Sequence, residues 1–235
     1  MTVQKPPTIL VFDVNETLLD LTSLEPLFAR LFGDAGVMRE WFAQLVMYSQ
    51  TLTLSGAYAT FGELALGVLR MVGNTSDVVI GDADVAELKQ RIGSMPAHAD
   101  AAPALARLQD AGFRLVTLTN SPPSGSPTPL EKAGLAQFFE ASFSVDAVKK
   151  FKPAPETYRL VADELGVAMT DTCLIACHLW DTIGAQAAGG KGAFVMRKGN
   201  AMLPTKGVPI PDYTAKSLAE LADRLIADRA ATDCC

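Results

Sequence analysis

The sequence predicts an α/β protein, with a doubly wound, Rossmann-like parallel sheet as its core and an all-helical cap inserted after the first strand. Three observations carry this. Short, wholly apolar runs rich in β-branched residues recur along the chain, as strands buried on both faces do. Each later run follows a stretch of helical apolar spacing, which is the alternation of a doubly wound layer fold. One long segment, 21–92, breaks the alternation with helical patterns alone.

In order, Ile9-Leu10-Val11-Phe12 reads as the first strand and closes on Asp13. Strands of the same character are expected at 114–119 (RLVTLT), 172–177 (TCLIAC) and 192–196 (GAFVM). Helices are expected at 101–111, 155–165 and 181–188, and an amphipathic helix near 217–229 closes the fold. Within the inserted segment, LEPLFARLF, VMREWFAQLVMYSQTL, ATFGELALGVLRMV and ADVAELKQRI carry helical periodicity. Gly33, Gly56, Gly73 and Gly81 stand where those helices are expected to stop. The expected division is a Rossmann-like core of 1–20 and 93–235 and a helical cap of 21–92. The alternative, outer helices of one domain, fits poorly with a regular βα order. The segments 121–129 and 199–211 read as loops, the first placed where it could border a site.

With 235 residues and 49% hydrophobic content, the chain is long enough to bury a sizeable core. Its net charge of −6 comes without a basic stripe, since the densest cluster is the short Lys149-Lys150-Phe151-Lys152, and nucleic acid is not an expected partner. Asp13 interrupts the first apolar run before signal-peptide length, and no run approaches the ~18 apolar residues of a membrane span. A soluble, cytoplasmic protein with no membrane partner is therefore expected. Cys173, Cys177, Cys234 and Cys235 show no metal-ligand spacing with histidines and read as reduced thiols. His98 and His178 are too few for a zinc site built from several histidines, and no G-x-S-x-G elbow is present. No metal and no cofactor is expected.

Ligands of open α/β sheets sit at the carboxyl ends of the strands, so the residues just after each strand are informative. They are Asp13 and Thr17; Thr119, Asn120 and Ser121; Lys152, in the loop before the 155–165 helix; and His178 with Asp181. Two carboxylates, an ammonium, hydroxyls and an amide would converge there. Plainer readings stand beside these: Thr17 as a helix cap, Lys152 and Arg39 as solvated cations, Trp180 as core, and Asp20 as a structural hinge residue. His98 carries no assigned role.

FDVNETLLD, LTNSP, Lys152-Pro153 and HLWDTIGAQAAG resemble, in this order, the four signature motifs of the haloacid dehalogenase superfamily, and they span nearly the whole chain. The resemblance implies that Asp13 is a carboxylate nucleophile assisted by Thr17, Lys152 and Asp181. Phosphatases of that superfamily carry a second Asp two residues after the nucleophile, where this chain has Asn15. They also usually hold magnesium with paired acids in the fourth motif, where HLWD offers one; a hard divalent cation wants several oxygen ligands. A halide leaving group needs neither a proton nor a metal.

The subgroup resembled is the L-2-haloacid dehalogenases, with their helical cap after the first motif and a W-D in the fourth. It implies that Arg39, in VMREWFAQL, grips the departing halide, and that Thr119, Asn120, Tyr158 and Trp180 belong to the substrate-binding set. The chain departs from the subgroup at His178, where Asn is typical, at Ala176, where Ser is typical, and at Thr119, again in place of Ser. The expected reaction is hydrolysis of short (S)-2-halocarboxylates to 2-hydroxycarboxylates through an Asp13 ester, with inversion at C2. His178 joins Arg39 as a halide donor in this reading, with fluoroacetate among the substrates to test. If imidazolium is the active form, the fluoride reaction declines past pH roughly 6 to 7, near the ordinary histidine pKa. The expected partner is a small anionic 2-haloacid drawn to a cationic pocket, and a homodimer is compatible with the reading. A phosphatase of the same superfamily and a catalytically inactive binding member stay open as alternatives.

Overall fold

The protein is described here by a computed structural model of residues 6–233; Cys234 and Cys235 lie outside the described residues. The chain begins with β1 (Ile9–Phe12) and continues through α1 (Glu25–Phe32), α2 (Val37–Ser55), α3 (Phe61–Thr75) and α4 (Asp82–Ile92). Then come α5 (Ala101–Asp110), β2 (Arg114–Thr119), α6 (Pro129–Lys132), β3 (Ala141–Ser144), α7 (Pro155–Leu165), β4 (Thr172–Ala176) and α8 (Leu179–Ala187). β5 (Lys191–Val195), β6 (Tyr213–Ala215) and α9 (Leu218–Asp233) complete it. The strands form one sheet in the order β3-β2-β1-β4-β5-β6, with every pairing parallel. The chain winds outward in one direction from β1 and in the other from β4. The crevice at the carboxyl ends of these two central strands is the switch point at which ligands bind in such sheets.

The two central strands are buried along their whole length, as their unbroken apolar sequences require. β3 and β6, which the apolar pattern does not predict, are the outer strands. ASFS is only partly buried and YTA is three residues long, so neither presents an apolar run. α8 starts two residues before the expected position, because His178 has extended backbone and serves as its N-cap. That start puts Asp181 in the first turn, where the positive end of the helix dipole favours a carboxylate.

The inserted helices pack on one another and share one buried apolar core with the sheet. The Trp41 indole N–H donates to the Ala65 carbonyl at 2.9 Å, and its ring packs against Phe28 at 5.3 Å between centroids. Gly33 and Gly56 end α1 and α2 in the left-handed conformation, with φ of 74° and 73°. The other two glycines do not stop helices. Gly73 lies inside α3, where a Cβ would come within 2.5 Å of the Ile80 side chain, so its role is to let the following loop pack back onto the helix. Gly81 begins α4, with its N–H bonded to the Asp84 side chain at 3.0 Å. The insertion meets the sheet through a hydrogen bond from Tyr58 Oη to Asp146 at 2.5 Å and another from the Phe151 N–H to Thr53 Oγ1 at 2.9 Å. Among the described residues no helix is long and apolar enough to cross a membrane.

Candidate active site

Asp13 follows β1 directly, and its N–H donates to the Ile175 carbonyl on β4 at 3.0 Å, which anchors it at the sheet's switch point. Lys152, 1% exposed, enters from the loop before α7 and donates to Asp13 Oδ1 at 2.8 Å, Asp181 Oδ2 at 2.5 Å and the Leu118 carbonyl at 3.2 Å. Three acceptors match the three N–H bonds of an ammonium, so its charge is fully satisfied without water. Its own N–H donates to Asn120 Oδ1 at 3.1 Å, which fixes the loop against the end of β2.

Burial works to raise the Asp13 pKa, but the nearby charges of Lys152 and His178, with the Lys152 hydrogen bond, outweigh it and hold the carboxyl well below the usual carboxylate range. Burial likewise works against the Lys152 ammonium, and Asp13 and Asp181 overcome it, raising its pKa. Asp181 is the carboxyl pushed upward, chiefly by burial and then by its like-charged neighbour Asp13, despite Lys152 and the Tyr158 hydroxyl. Tyr158 sits behind Asp181 and donates to its Oδ1 at 2.6 Å. α8 can approach this closely because residue 184 is glycine: a Cβ there would lie 2.5 Å from both Pro153 Cβ and Tyr158 Oη.

Thr17 is completely buried. Its hydroxyl donates to Asp13 Oδ2 at 2.7 Å and accepts the Cys177 N–H at 3.0 Å, so it orients the carboxylate and faces no cavity. Between these two stands Glu16, which sequence reasoning passed over. It is 2% exposed, adopts φ 67°, and adds a further buried charged group beside Asp13, Lys152 and Asp181. Positive φ is uncommon for a non-glycine residue and is kept where the surroundings enforce it. Here they do: the Glu16 carboxylate accepts from His178 Nε2 at 2.8 Å and from Arg39 Nη1, while its carbonyl is bonded to His98 Nε2 at 2.9 Å. Arg197 donates to the Thr17 carbonyl at 2.9 Å and is paired with Asp100, pinning the same loop from the other side. His98 thus has a structural place.

His178 is 5% exposed, with Phe42 tilted over its ring at 5.5 Å and Trp180 stacked at 5.2 Å. Burial would lower its pKa; the Cys177 sulfur, Asp13 and Glu16 overcome it and raise the imidazole pKa well above 6.5, a shift toward the imidazolium. Its Nδ1 lies 3.5 Å from Asp13 Oδ2 but makes no hydrogen bond. An unpartnered buried donor is costly, and this one lies beside the nucleophile. A cavity of about 10 Å³ opens there, walled by Asp13, Asn15, Phe42, Thr119, His178 and Trp180, with Asn120, Val46 and Phe61 completing it. Asn15, Phe42, Phe61 and Thr119 also line a second, mostly apolar cavity of about 530 Å³.

Of the residues expected at the site, Asp13, Lys152 and Asp181 meet through one ammonium, and Thr119, Asn120, His178 and Trp180 line the small cavity beside them. Thr17 and Tyr158 stand behind the carboxylates rather than in the cavity wall. Arg39 differs most from expectation. Its guanidinium binds Glu16 and donates to the Lys198 carbonyl at 2.6 Å, outside the cavity wall, because Glu16 offers a buried carboxylate and residues 198–199 close over it. Glu16, Cys177 and His178 also bring three ligand-type atoms within 4.8 Å, a grouping that the spacing of cysteines and histidines along the chain does not suggest. The Glu16 carboxylate there already faces two cations, Arg39 and His178, which a metal ion would have to displace.

The haloacid dehalogenase-like hydrolase family model matches residues 7–189, which includes Asp13, Glu16, Thr17, Lys152, His178 and Asp181. The chain belongs to the haloacid dehalogenase-like hydrolases. Within this family it falls in the L-2-haloacid dehalogenase subgroup. It is 30% identical over 189 residues to the (S)-2-haloacid dehalogenase of Xanthobacter autotrophicus, covering 80% of this chain and 74% of the relative. It is also 30% identical to (S)-2-haloacid dehalogenase 4A of Burkholderia cepacia, over 81% of this chain and 83% of that one. Among solved structures, the Xanthobacter autotrophicus L-2-haloacid dehalogenase with chloropropionic acid covalently bound superimposes with a TM-score of 0.84 at 27% identity. That match covers 94% of this dehalogenase-like chain and 98% of the other.

Proposed function

We propose that this hydrolase is an (S)-2-haloacid dehalogenase, acting through an ester of Asp13. The observation that carries the reading is the surrounding of Asp13. Lys152 and Thr17 hold one oxygen each, His178 Nδ1 lies 3.5 Å from the oxygen that Thr17 holds, and Asn15 puts an amide in the cavity wall where a second carboxyl would stand. An ionised, fixed carboxylate with an amide in place of that second carboxyl suits a leaving group that departs as a stable anion.

In the first step an Asp13 oxygen attacks C2 in line, the new C–O bond forms as the carbon–halogen bond breaks, and halide leaves with the electron pair. C2 inverts. In the second step water adds to the Asp13 carbonyl carbon, the ester's bond from that carbon to oxygen breaks, and 2-hydroxycarboxylate and one proton are released. Lys152 keeps Asp13 ionised before attack and, with Asp181, holds the ester and the water after it. Thr119 and Asn120 seat the substrate carboxylate, and Trp180 closes the wall behind the reacting carbon. His178 donates Nδ1–H to the departing halide, aided at one remove by Arg39 through Glu16; fluoroacetate falls within this chemistry.

The same reading treats 1–20 and 93–235 as the catalytic core and 21–92 as the cap. It includes a cytoplasmic address, a homodimer in solution, and neither nucleic acid nor membrane as partner. The test is halide release from (S)-2-chloropropionate by protein treated with EDTA. Undiminished turnover supports the reading. Loss of turnover that magnesium restores overturns it in favour of a metal-dependent hydrolase.

A further inference from the structure

The small cavity at Asp13 has about 10 Å³ of free space, roughly the room for one water. The cavity that shares four of its lining residues has about 530 Å³, room for on the order of a dozen or more water-sized groups. A haloacetate or 2-halopropionate bound at the nucleophile would leave the larger one unfilled. Its walls are contributed by both layers: Trp41, Leu45 and Ala65 from α2 and α3, and Pro122, Leu130 and Phe143 from the segments after β2 and on β3. The polar lining consists mainly of hydroxyls and one amide, with no carboxylate. Its one cation, Lys89, is exposed and belongs to the outer part of α4. A space of this kind rejects charge and rewards apolar surface.

We propose that this cavity receives the substituent on C2 of the substrate, and that the preferred substrates are 2-halocarboxylates with extended alkyl chains. The proposal rests on the dehalogenase reading for the reaction but not for the binding. Four residues, Asn15, Phe42, Phe61 and Thr119, line both spaces, so a substrate whose C2 lies against Asp13 has its C2 substituent directed toward the side where the larger space lies. The larger space thereby supplies the chain-length specificity that the small one cannot.

Gly62 tests this directly. It lines the large cavity near the start of α3, it lacks positive φ, and a Cβ added there meets nothing within 4 Å. Gly62 is exposed, so Gly62→Leu adds its side chain at the outer rim of the cavity without touching backbone, and leucine is the better helix former. Two measurements are made on wild type and variant. The first is calorimetric binding of unhalogenated straight-chain carboxylates from propanoate to octanoate. The second is kcat/KM for the matching (S)-2-bromoalkanoates.

In wild type, affinity and kcat/KM should rise with each added CH2 by up to about fourfold, the value of burying one methylene, until the cavity is filled. In Gly62→Leu the increment should disappear beyond the first carbons, so that octanoate and 2-bromooctanoate lose more than tenfold relative to propanoate and 2-bromopropanoate. Binding that is flat or falls with chain length in wild type overturns the chain site, even if short 2-haloacids are turned over. A rise that survives Gly62→Leu unchanged overturns its location. If carboxylate affinity rises with chain length and is lost in the variant while no bromoacid releases bromide, the cavity stands and the dehalogenase reading fails.

Discussion

Replacing Glu16 with Gln removes the carboxylate that faces His178 Nε2 at 2.8 Å while keeping its size and its capacity to hydrogen-bond. Both partners are nearly sealed from water, with Glu16 2% and His178 5% exposed, so the bond is between charges that solvent does not screen. A hydrogen bond to a buried charged group contributes about 1.5–3 kcal/mol. Glutamine still accepts the bond, so only the part owed to the charge is lost, and at 1.36 kcal/mol for each pKa unit the imidazolium pKa falls by up to about one to two units. The groups that remain around the ring are Asp13 at the end of β1 and Cys177 at the end of β4, with Lys152, Asp181 and Arg39 one contact further away.

The sign follows from the direction of the shift. A histidine whose pKa is raised keeps its proton as pH rises until the folded value is passed, so wild type should turn over fluoroacetate with a flat profile through neutral pH. Its alkaline limb lies above the ordinary histidine range that the sequence alone suggested. In Glu16→Gln that limb should move down by up to about one to two pH units. Stability obeys the same sign: the contribution of the charged His178 is complete below the ordinary pKa of 6.5 and lost as pH rises through the raised one. The assay is fluoride release from pH 5 to 10. Glu16→Gly serves as a folding control, since glycine adopts the φ of 67° without strain. Superimposable profiles for wild type and Glu16→Gln would refute the proposed link between Glu16 and a halide-donating imidazolium.

Other outcomes follow from the same geometry. His178→Asn should lower fluoroacetate turnover by a larger factor than bromoacetate turnover, because fluoride needs the stronger donor; equal losses would place His178 in ester hydrolysis or in packing. Lys152→Ala should remove nearly all activity while circular dichroism reports a folded chain, and retention of more than a tenth, a loss under about 1.4 kcal/mol, would mean that Lys152 does not sustain the nucleophile. Gly184→Ala forces a methyl group to within 2.5 Å of Pro153 and Tyr158 and should cost about 1–3 kcal/mol. At about 2–4 °C per kcal/mol for a chain of this size, a melting temperature unchanged from wild type would show that α8 is free to shift.

The parts of this fold that were legible in the sequence are those in which one physical demand dominates. β1 and β4 are buried on both faces, so their apolar runs could be read without context, whereas β3 and β6 lie at the sheet's outer positions and carry no such mark. Gly33 and Gly56 obeyed the helix-stop rule because their backbones turn left-handed; Gly73 is there for close packing against Ile80, a demand visible only in three dimensions. Asp13, Lys152 and Asp181 were found because each sits at a strand end or in the loop beside one, where sheet geometry puts ligands. Glu16 was missed because its partners, Arg39 and His178, are 23 and 162 residues away. One signal for it was available: a charged residue three places from a buried nucleophile, in a segment with no local cation, needs a distant partner. Arg39 was recognised by motif position alone, and its orientation depends on that same glutamate.

The central claim is that Asp13 attacks carbon and is then itself attacked by water. One turnover with enzyme in excess over (S)-2-chloropropionate, run in water enriched in oxygen-18, separates this from direct hydrolysis. Mass spectrometry of the peptide containing Asp13 should show one heavy oxygen in its carboxyl group, with unlabelled oxygen in the 2-hydroxypropionate product. Label in the product hydroxyl with none in the Asp13 peptide would mean that water attacks C2 directly, and the ester mechanism would be wrong.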